Sequence, residues 1–279
     1  MKDEMKIMAV QMPVTEGKEK NIETMLYYLG KCEKEHPDLV ALPEMFDCPY
    51  RNSLFRSYAE KDGGPVFQLL SDTAKKYGIY FVAGSVPELG DDDRVYNTSY
   101  AFGPDGSFLA KHRKMHLFDI SIPGKQTFQE SKTLSPGNQV TVFDTEFGPI
   151  GLAVCYDIRF PELFRLMALK GARLAIVPAA FNLTTGEPHW EMLLRMRALD
   201  NQMYVLGVEP ERDENGRYVA WGHTMLTNPW GVVVKELGIR QGYFTETIDL
   251  SYADRIKEEL PLLRHRRTDV YEVIEKQPK

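Results

Sequence analysis

Short apolar runs recur along the whole chain with helix-period segments between them, and this alternation restricts the fold more than any other feature. "KIMAVQM" and "PDLVALPE" read as short buried strands on either side of "KNIETMLYYLGKCEKE", where Ile22, Met25, Leu26 and Leu29 recur at helix spacing. A second unit follows. "VFQLLSDTAKKYG" has helix periodicity and ends in Gly78, and "IYFVAGSV" is a run suited to one strand buried on both faces. "RVYNTSYAFGPDGSFLAKHRK" predicts two strands around a Gly-Pro-Asp-Gly turn, and "SIPGKQTFQESKTLSPGNQ" a loop. "VTVFDTEFGPIGLAVC" then gives two strands, "PELFRLMALKGA" a helix begun by Pro161 and stopped by Gly171, and "RLAIVPAA" another strand. "HWEMLLRMRALDNQ" is a helix, "MYVLGVEP" a strand, "HTMLTNPWGVVVKELG" a hairpin, and "DRIKEELPLLRHRRTDVY" a helix that turns irregular.

No linker, composition break or fixed-period repeat divides the chain, so one domain, 1–279, is expected. The class is α+β, with mixed sheets whose outer faces are covered by helices. Two such layers could pack face to face, which the pattern alone leaves open. A formal charge of -6 with both signs interspersed offers no broad basic surface, so nucleic acid is not an expected partner. No window approaches a membrane span, and "MKDEMKIMAVQMPV" lacks the features of a secretory leader, so a cytoplasmic protein is expected. Cys32, Cys48 and Cys155 are odd in number and widely spaced, which argues against a disulfide framework and a zinc site and leaves at least one thiol free.

Three stretches carry candidate chemistry. Cys155 closes the run "PIGLAVC" and stands just before a helix, where ligands bind in sheet-and-helix proteins. Taken alone it reads as a buried structural thiol. In "VALPEMF" an apolar strand runs into Glu44, an ordinary exposed carboxylate unless it is desolvated, when its pKa should rise. In "KHRKMHLF" the basic run reads as solvated, yet the apolar residues after Lys114 turn the chain inward, and a buried lysine needs a carboxylate partner. Together a thiol, a carboxylate and an ammonium suffice for amide hydrolysis, as nucleophile, proton carrier and oxyanion stabiliser. A Cys–His pair using His116, His189 or His223 is the competitor, and spacing leaves both open.

"LPEMF", "HRKMHLF" and "GLAVCYDIRFPEL", in that order, resemble the glutamate, lysine and cysteine motifs of the nitrilase, or carbon–nitrogen hydrolase, superfamily. The resemblance implies a four-layer α-β-β-α sandwich that needs no cofactor or metal. It implies a homodimer, formed through the helix after the cysteine, with the segment from about 250 to 279 expected at the interface. It further implies Glu44 as general base and acid, Lys114 as oxyanion stabiliser, Cys155 as nucleophile, and Glu130 in "TFQESKTLSPGN" as the second glutamate. The Tyr156 backbone N–H is then expected at the oxyanion, and Arg159 either binds a substrate anion or pairs with Asp157, Glu162 or Glu130.

"FDCPYR", with Cys48 and Tyr50, "AAFNLTTGEPHWEMLLRMRALDNQMYV" and "YVAWGHTMLTNPWG" are similar to the omega-amidase branch. That branch hydrolyses the terminal amide of 2-oxoglutaramate and 2-oxosuccinamate through a thioester. Phe181, Thr185 and Trp221 are candidate contacts there, or packing residues. The Pro-Glu pair of "CYDIRFPEL" fits as well the sister branch that deamidates deaminated glutathione, and N-carbamoyl amine hydrolysis uses the same residues. The partner class is a small-molecule amide. A catalytically silent binding protein of the same fold is the alternative from outside enzymology.

Overall fold

The strands form where apolar side chains alternate between two dry faces. The computed structural model describes residues 1–124 and 126–276. In chain order the elements begin with β1 (Glu4–Gln11), α1 (Lys18–Leu29), α2 (Cys32–Glu35), β2 (Leu39–Ala41), α3 (Asn52–Tyr58), β3 (Glu60–Lys61), α4 (Pro65–Tyr77), β4 (Tyr80–Val82), β5 (Val86–Leu89), β6 (Val95–Phe102) and β7 (Phe108–Arg113). There follow β8 (Asp119–Ile122), β9 (Gln126–Gln129), β10 (Thr141–Phe143), β11 (Ile150–Leu152), α5 (Pro161–Leu169), β12 (Leu174–Pro178), α6 (Leu183–Asn201), β13 (Tyr204–Val208), β14 (Met225–Thr227), β15 (Val233–Glu236), β16 (Gly242–Asp249) and α7 (Ser251–Glu259).

One sheet runs β16-β1-β2-β4-β6-β5-β3, with β7 paired to β6; the second runs β10-β11-β12-β13-β14-β15. Side-chain period two assigns the layers. Ile7, Ala9, Leu39, Ala41 and Val82 of the first sheet share one core with Ile150, Leu152, Leu174, Ile176 and Leu206 of the second. Their neighbours Met8, Val10, Val40 and Phe81 point the other way, onto Met25 and Leu29 of α1 and Leu70 and Ala74 of α4. On the far side Ala175, Val177 and Val205 pack on Phe164 and Met167 of α5 and on Trp190 and Leu194 of α6. The result is the four-layer α-β-β-α sandwich. Among the described residues no helix is long and apolar enough to cross a membrane.

The differences from the sequence reading have local causes. "IYFVAGSV" is two strands, because Gly84 breaks it at φ +58 with the Pro43 carbonyl only 2.1 Å from where a Cβ would stand. The expected loop at 121–139 holds a hairpin, β8 against β9, apart from Lys125, which lies outside the described residues. The strand ahead of Cys155 ends at Leu152, and Cys155 opens a 3-10 turn, Cys155–Arg159. α6 starts before "HWEM", at Leu183, where the Asn182 side chain caps the Thr185 N–H, and it absorbs Pro188. β16 was not read from the sequence at all; it pairs antiparallel with the whole of β1. In the C-terminal segment α7 buries Ala253 and Ile256, Val270 and Tyr271 are exposed, and residues 277–279 lie outside the described ones.

Gly84→Ala must place a methyl group against the Pro43 carbonyl in a left-handed conformation. It should cost more than about 2 kcal/mol in urea unfolding.

Candidate active site

Four of the candidate residues lie at the same end of the two sheets, on segments that leave the ends of strands. Glu44 follows β2, next to Met45 at φ +52, and Lys114 follows β7. Glu130 opens a short 3-10 turn after β9, and Cys155, at φ +49, stands beyond β11. Left-handed backbone at non-glycine residues is costly and clusters where a side chain must be aimed. Met45 is held there by its N–H bond to the Ser85 hydroxyl, 2.9 Å.

Lys114 is fully buried. Its Nζ lies 2.9 Å from Glu44 Oε1, 3.0 Å from each Glu130 oxygen and 3.0 Å from the Tyr50 hydroxyl. Tyr50 in turn donates to Glu130 at 2.7 Å, and the Phe118 N–H donates to the other Glu130 oxygen at 2.6 Å. Burial pulls the Lys114 pKa down, but the carboxylates of Glu130 and Glu44 outweigh it and hold the ammonium charged. Two carboxylates for one ammonium leave an excess negative charge. Burial and the nearby Glu130 accordingly push the Glu44 carboxyl up, against the pull of Lys114. Glu44 Oε1 also accepts from Asn97 at 2.7 Å, while Oε2 is buried with no hydrogen-bond partner among the described residues.

The Cys155 thiol faces Glu44, with the Ala180 backbone N–H directed at the sulfur. Burial first and the Glu44 charge second push this thiol well above its ordinary value. Attack on a carbonyl by a thiol raised in this way needs its proton to pass to the neighbouring Glu44 carboxylate. Among the described residues no histidine hydrogen-bonds Cys155. His116 is on Asp157 at 2.7 Å, His189 on Arg159 at 3.2 Å and His223 on Glu236 at 2.6 Å.

Arg159 pairs with none of Asp157, Glu162 and Glu130 among the described residues. Its guanidinium lies 4.9 Å from the Phe181 ring and 5.5 Å from that of Tyr156, with Nε buried and unpartnered. Cys155, Tyr156, Arg159, Phe181 and Thr185 line a recess of about 10 Å³, room for roughly one water. Ala180 is shared between this recess and an open cavity of about 1070 Å³, whose wall includes Glu44, Tyr50, Phe128, Arg212 and Tyr218. The Thr185 hydroxyl is turned to the Asn182 cap at 3.3 Å, and Trp221 packs over Gly186 outside both linings. No group of three or more His, Cys, Asp or Glu among the described residues is placed to hold a metal ion.

Sequence reasoning missed Asn97, whose only signal is a polar residue inside the wholly buried strand β6. It also missed Asp157 as a tie between the lysine and cysteine segments. Asp157 accepts from His112 Nε2 (2.9 Å) and the Val154 N–H (3.0 Å) on one oxygen, and from the His116 N–H and Nδ1 (2.9 and 2.7 Å) on the other. Burial opposes its ionisation, but the hydrogen bonds from His112 and His116 prevail and hold the carboxyl well below the usual range. A depressed folded pKa gives stability that is complete above the unfolded value of about 3.9 and is lost as pH falls through the folded value. Asp157→Asn should therefore cost about 3–5 kcal/mol at neutral pH. The gap to wild type should narrow below about pH 4 in chemical denaturation.

Comparison with known proteins identifies the family. The carbon-nitrogen hydrolase family matches residues 6–258. Omega-amidase NIT2-A of Xenopus laevis is 48% identical over 271 residues, 97% of this chain and 98% of that protein. Omega-amidase NIT2 of Homo sapiens is 45% identical over 269 residues, 96% and 97% of the two chains. The crystal structure of Nit3 of Saccharomyces cerevisiae, a member of branch 10 of the nitrilase superfamily, superimposes with a TM-score of 0.88 at 38% identity, covering 96% of this chain and 98% of that one. With the sandwich, the order of its motifs and relatives of this similarity over nearly full length, the chain belongs to the carbon-nitrogen hydrolase family.

Proposed function

We propose that this chain is an omega-amidase, hydrolysing the terminal amide of small dicarboxylic-acid monoamides such as 2-oxoglutaramate and 2-oxosuccinamate to the acid and ammonia. The observation that carries the chemistry is the Cys155 thiol against the Glu44 carboxylate, with Lys114 fixed on that carboxylate's Oε1. The relatives named omega-amidase and the uncompensated guanidinium of Arg159 support the substrate class.

Glu44 takes the thiol proton as sulfur adds to the amide carbon, and the oxyanion forms against the Lys114 ammonium and the Tyr156 N–H. The tetrahedral adduct collapses, the C–N bond breaks, and Glu44 returns the proton to the leaving nitrogen as ammonia. A Cys155 thioester remains. A water enters from the large cavity, Glu44 takes one of its protons, hydroxide adds to the thioester carbon, and the acid departs as the thiol regains its proton. Glu130 and Tyr50 keep Lys114 aimed throughout. Arg159 takes the distal carboxylate, which must displace the Phe181 and Thr185 walls, since the recess as it stands admits only about one water.

The reading includes one domain over the whole chain, a cytoplasmic location and a homodimer with the C-terminal segment from about 250 at its interface. Support for the dimer comes from exposed Leu169 on α5 and Met192 and Met196 on α6. The 1070 Å³ cavity favours a second reading, a longer monoamide such as deaminated glutathione.

Purified protein should release ammonia from 2-oxoglutaramate, and Cys155→Ala should release none while keeping the wild-type melting temperature. Turnover by that variant would refute the mechanism; faster turnover of deaminated glutathione would select the second reading. Arg159→Met should lower kcat/KM for the dicarboxylic monoamide about 10–100-fold, and that for a neutral amide of equal length much less.

A further inference from the structure

Glu209 stands just past the carboxyl end of β13 and is fully buried. Both of its oxygens accept the Phe181 N–H, at 2.9 and 3.1 Å. No lysine, arginine or histidine pairs with it among the described residues. The neighbouring Arg212 is directed elsewhere, donating Nε and Nη2 to the Trp221 carbonyl at 3.1 and 2.7 Å. One backbone donor does not compensate a desolvated anion. Burial and the Glu44 charge push this carboxyl well above the usual range, against the opposing pull of the Phe181 N–H.

The segment it holds is a wall of the active site. After β12 ends at Pro178, Ala179 donates to the Val208 carbonyl at 2.8 Å and accepts from the Glu44 N–H at 3.4 Å. The Ala180 carbonyl accepts from Tyr218, and the Phe181 carbonyl from the Trp221 N–H. The carbonyls are thus tied to other loops, whereas the Phe181 N–H is tied to Glu209. The Ala180 N–H faces the Cys155 sulfur, and the Phe181 ring faces Arg159.

We propose that Glu209 is a positioning residue: by accepting the Phe181 N–H it fixes the Ala180–Phe181 peptide, keeping the Ala180 N–H on the Cys155 sulfur and the Phe181 ring against Arg159. This deepens the proposed function, since it rests on Cys155 as the nucleophile. Glu209 touches no reacting atom. Its effect passes through the peptide, and an uncharged acceptor of the same shape should serve as well.

The test is the rate of Cys155 alkylation by iodoacetamide, resolved from Cys32 and Cys48 by peptide mass spectrometry, with melting temperature and pH profile measured alongside. Glu209→Gln keeps the acceptor and should label Cys155 at the wild-type rate with an unchanged pH profile. Glu209→Leu removes it and should slow labelling about 10–100-fold, the scale expected of a misplaced group. Glu209→Asp draws the carboxyl back by one methylene and should also slow labelling, which serves if the leucine variant does not fold. Wild-type labelling in the folded leucine variant, or in the aspartate variant in its place, overturns the proposal even if the melting temperature falls. A glutamine variant as slow as leucine overturns it too, because charge or a proton would then be the requirement. Labelling needs no amide substrate. Wild-type protein that follows this pattern yet releases no ammonia sinks the omega-amidase reading and leaves Glu209 in place.

Discussion

An ammonium cannot be withdrawn from water without anions to receive it, and the position of Lys114 governs how this end of the molecule is organised. Its carboxylates come from segments far apart in the chain, Glu44 after β2 and Glu130 after β9, so folding must complete the first sheet and the hairpin before the charge is compensated. The excess of carboxylate over ammonium has a chemical result. It weakens the acidity of Glu44, where a simple ion pair would hold it ionised, and in the proposed mechanism that carboxyl exchanges protons with sulfur, ammonia and water in turn.

The thiol follows the same logic. A cysteine displayed to solvent near cations would be largely thiolate, reactive toward many electrophiles. Cys155 is buried beside a carboxylate and held up in pKa, so in the proposed mechanism its proton leaves in concert with attack. Such a nucleophile depends on placement more than on ionisation, which is why the surrounding backbone is so heavily tied. Asp157 binds the lysine segment to the cysteine turn, and Ser85 steadies the left-handed residue after Glu44.

Much of this was legible in the residues. The buried strands announced themselves as apolar runs, and Pro161 and Gly78 marked helix ends where they occur, because these signals are local. Lys114 could be expected to need a carboxylate, since desolvation of a charge is a general cost; the partner's identity came only from the family resemblance. The unread parts have non-local causes. "GYFTETID" alternates polar and apolar residues too weakly to stand out, and it is a strand because β1 offers a full-length edge. Gly84 divides a continuous apolar run because the Pro43 carbonyl passes close by, which only the fold reveals. Asn97, Asp157 and Glu209 act on residues distant in sequence, and no spacing rule connects them to their partners.

The second sheet also bears on how such a molecule can change. Its parallel strands β11, β12 and β13 lie side by side, and the Cys155 turn, the Ala180–Phe181 segment and Glu209 follow from their carboxyl ends in order. The shared core stops short of these residues, at Leu152, Ile176 and Val208. Replacements in the crest above it can therefore reshape the recess beside Cys155 while the interior packing stays intact, which makes this edge the natural target for directed evolution toward new amides.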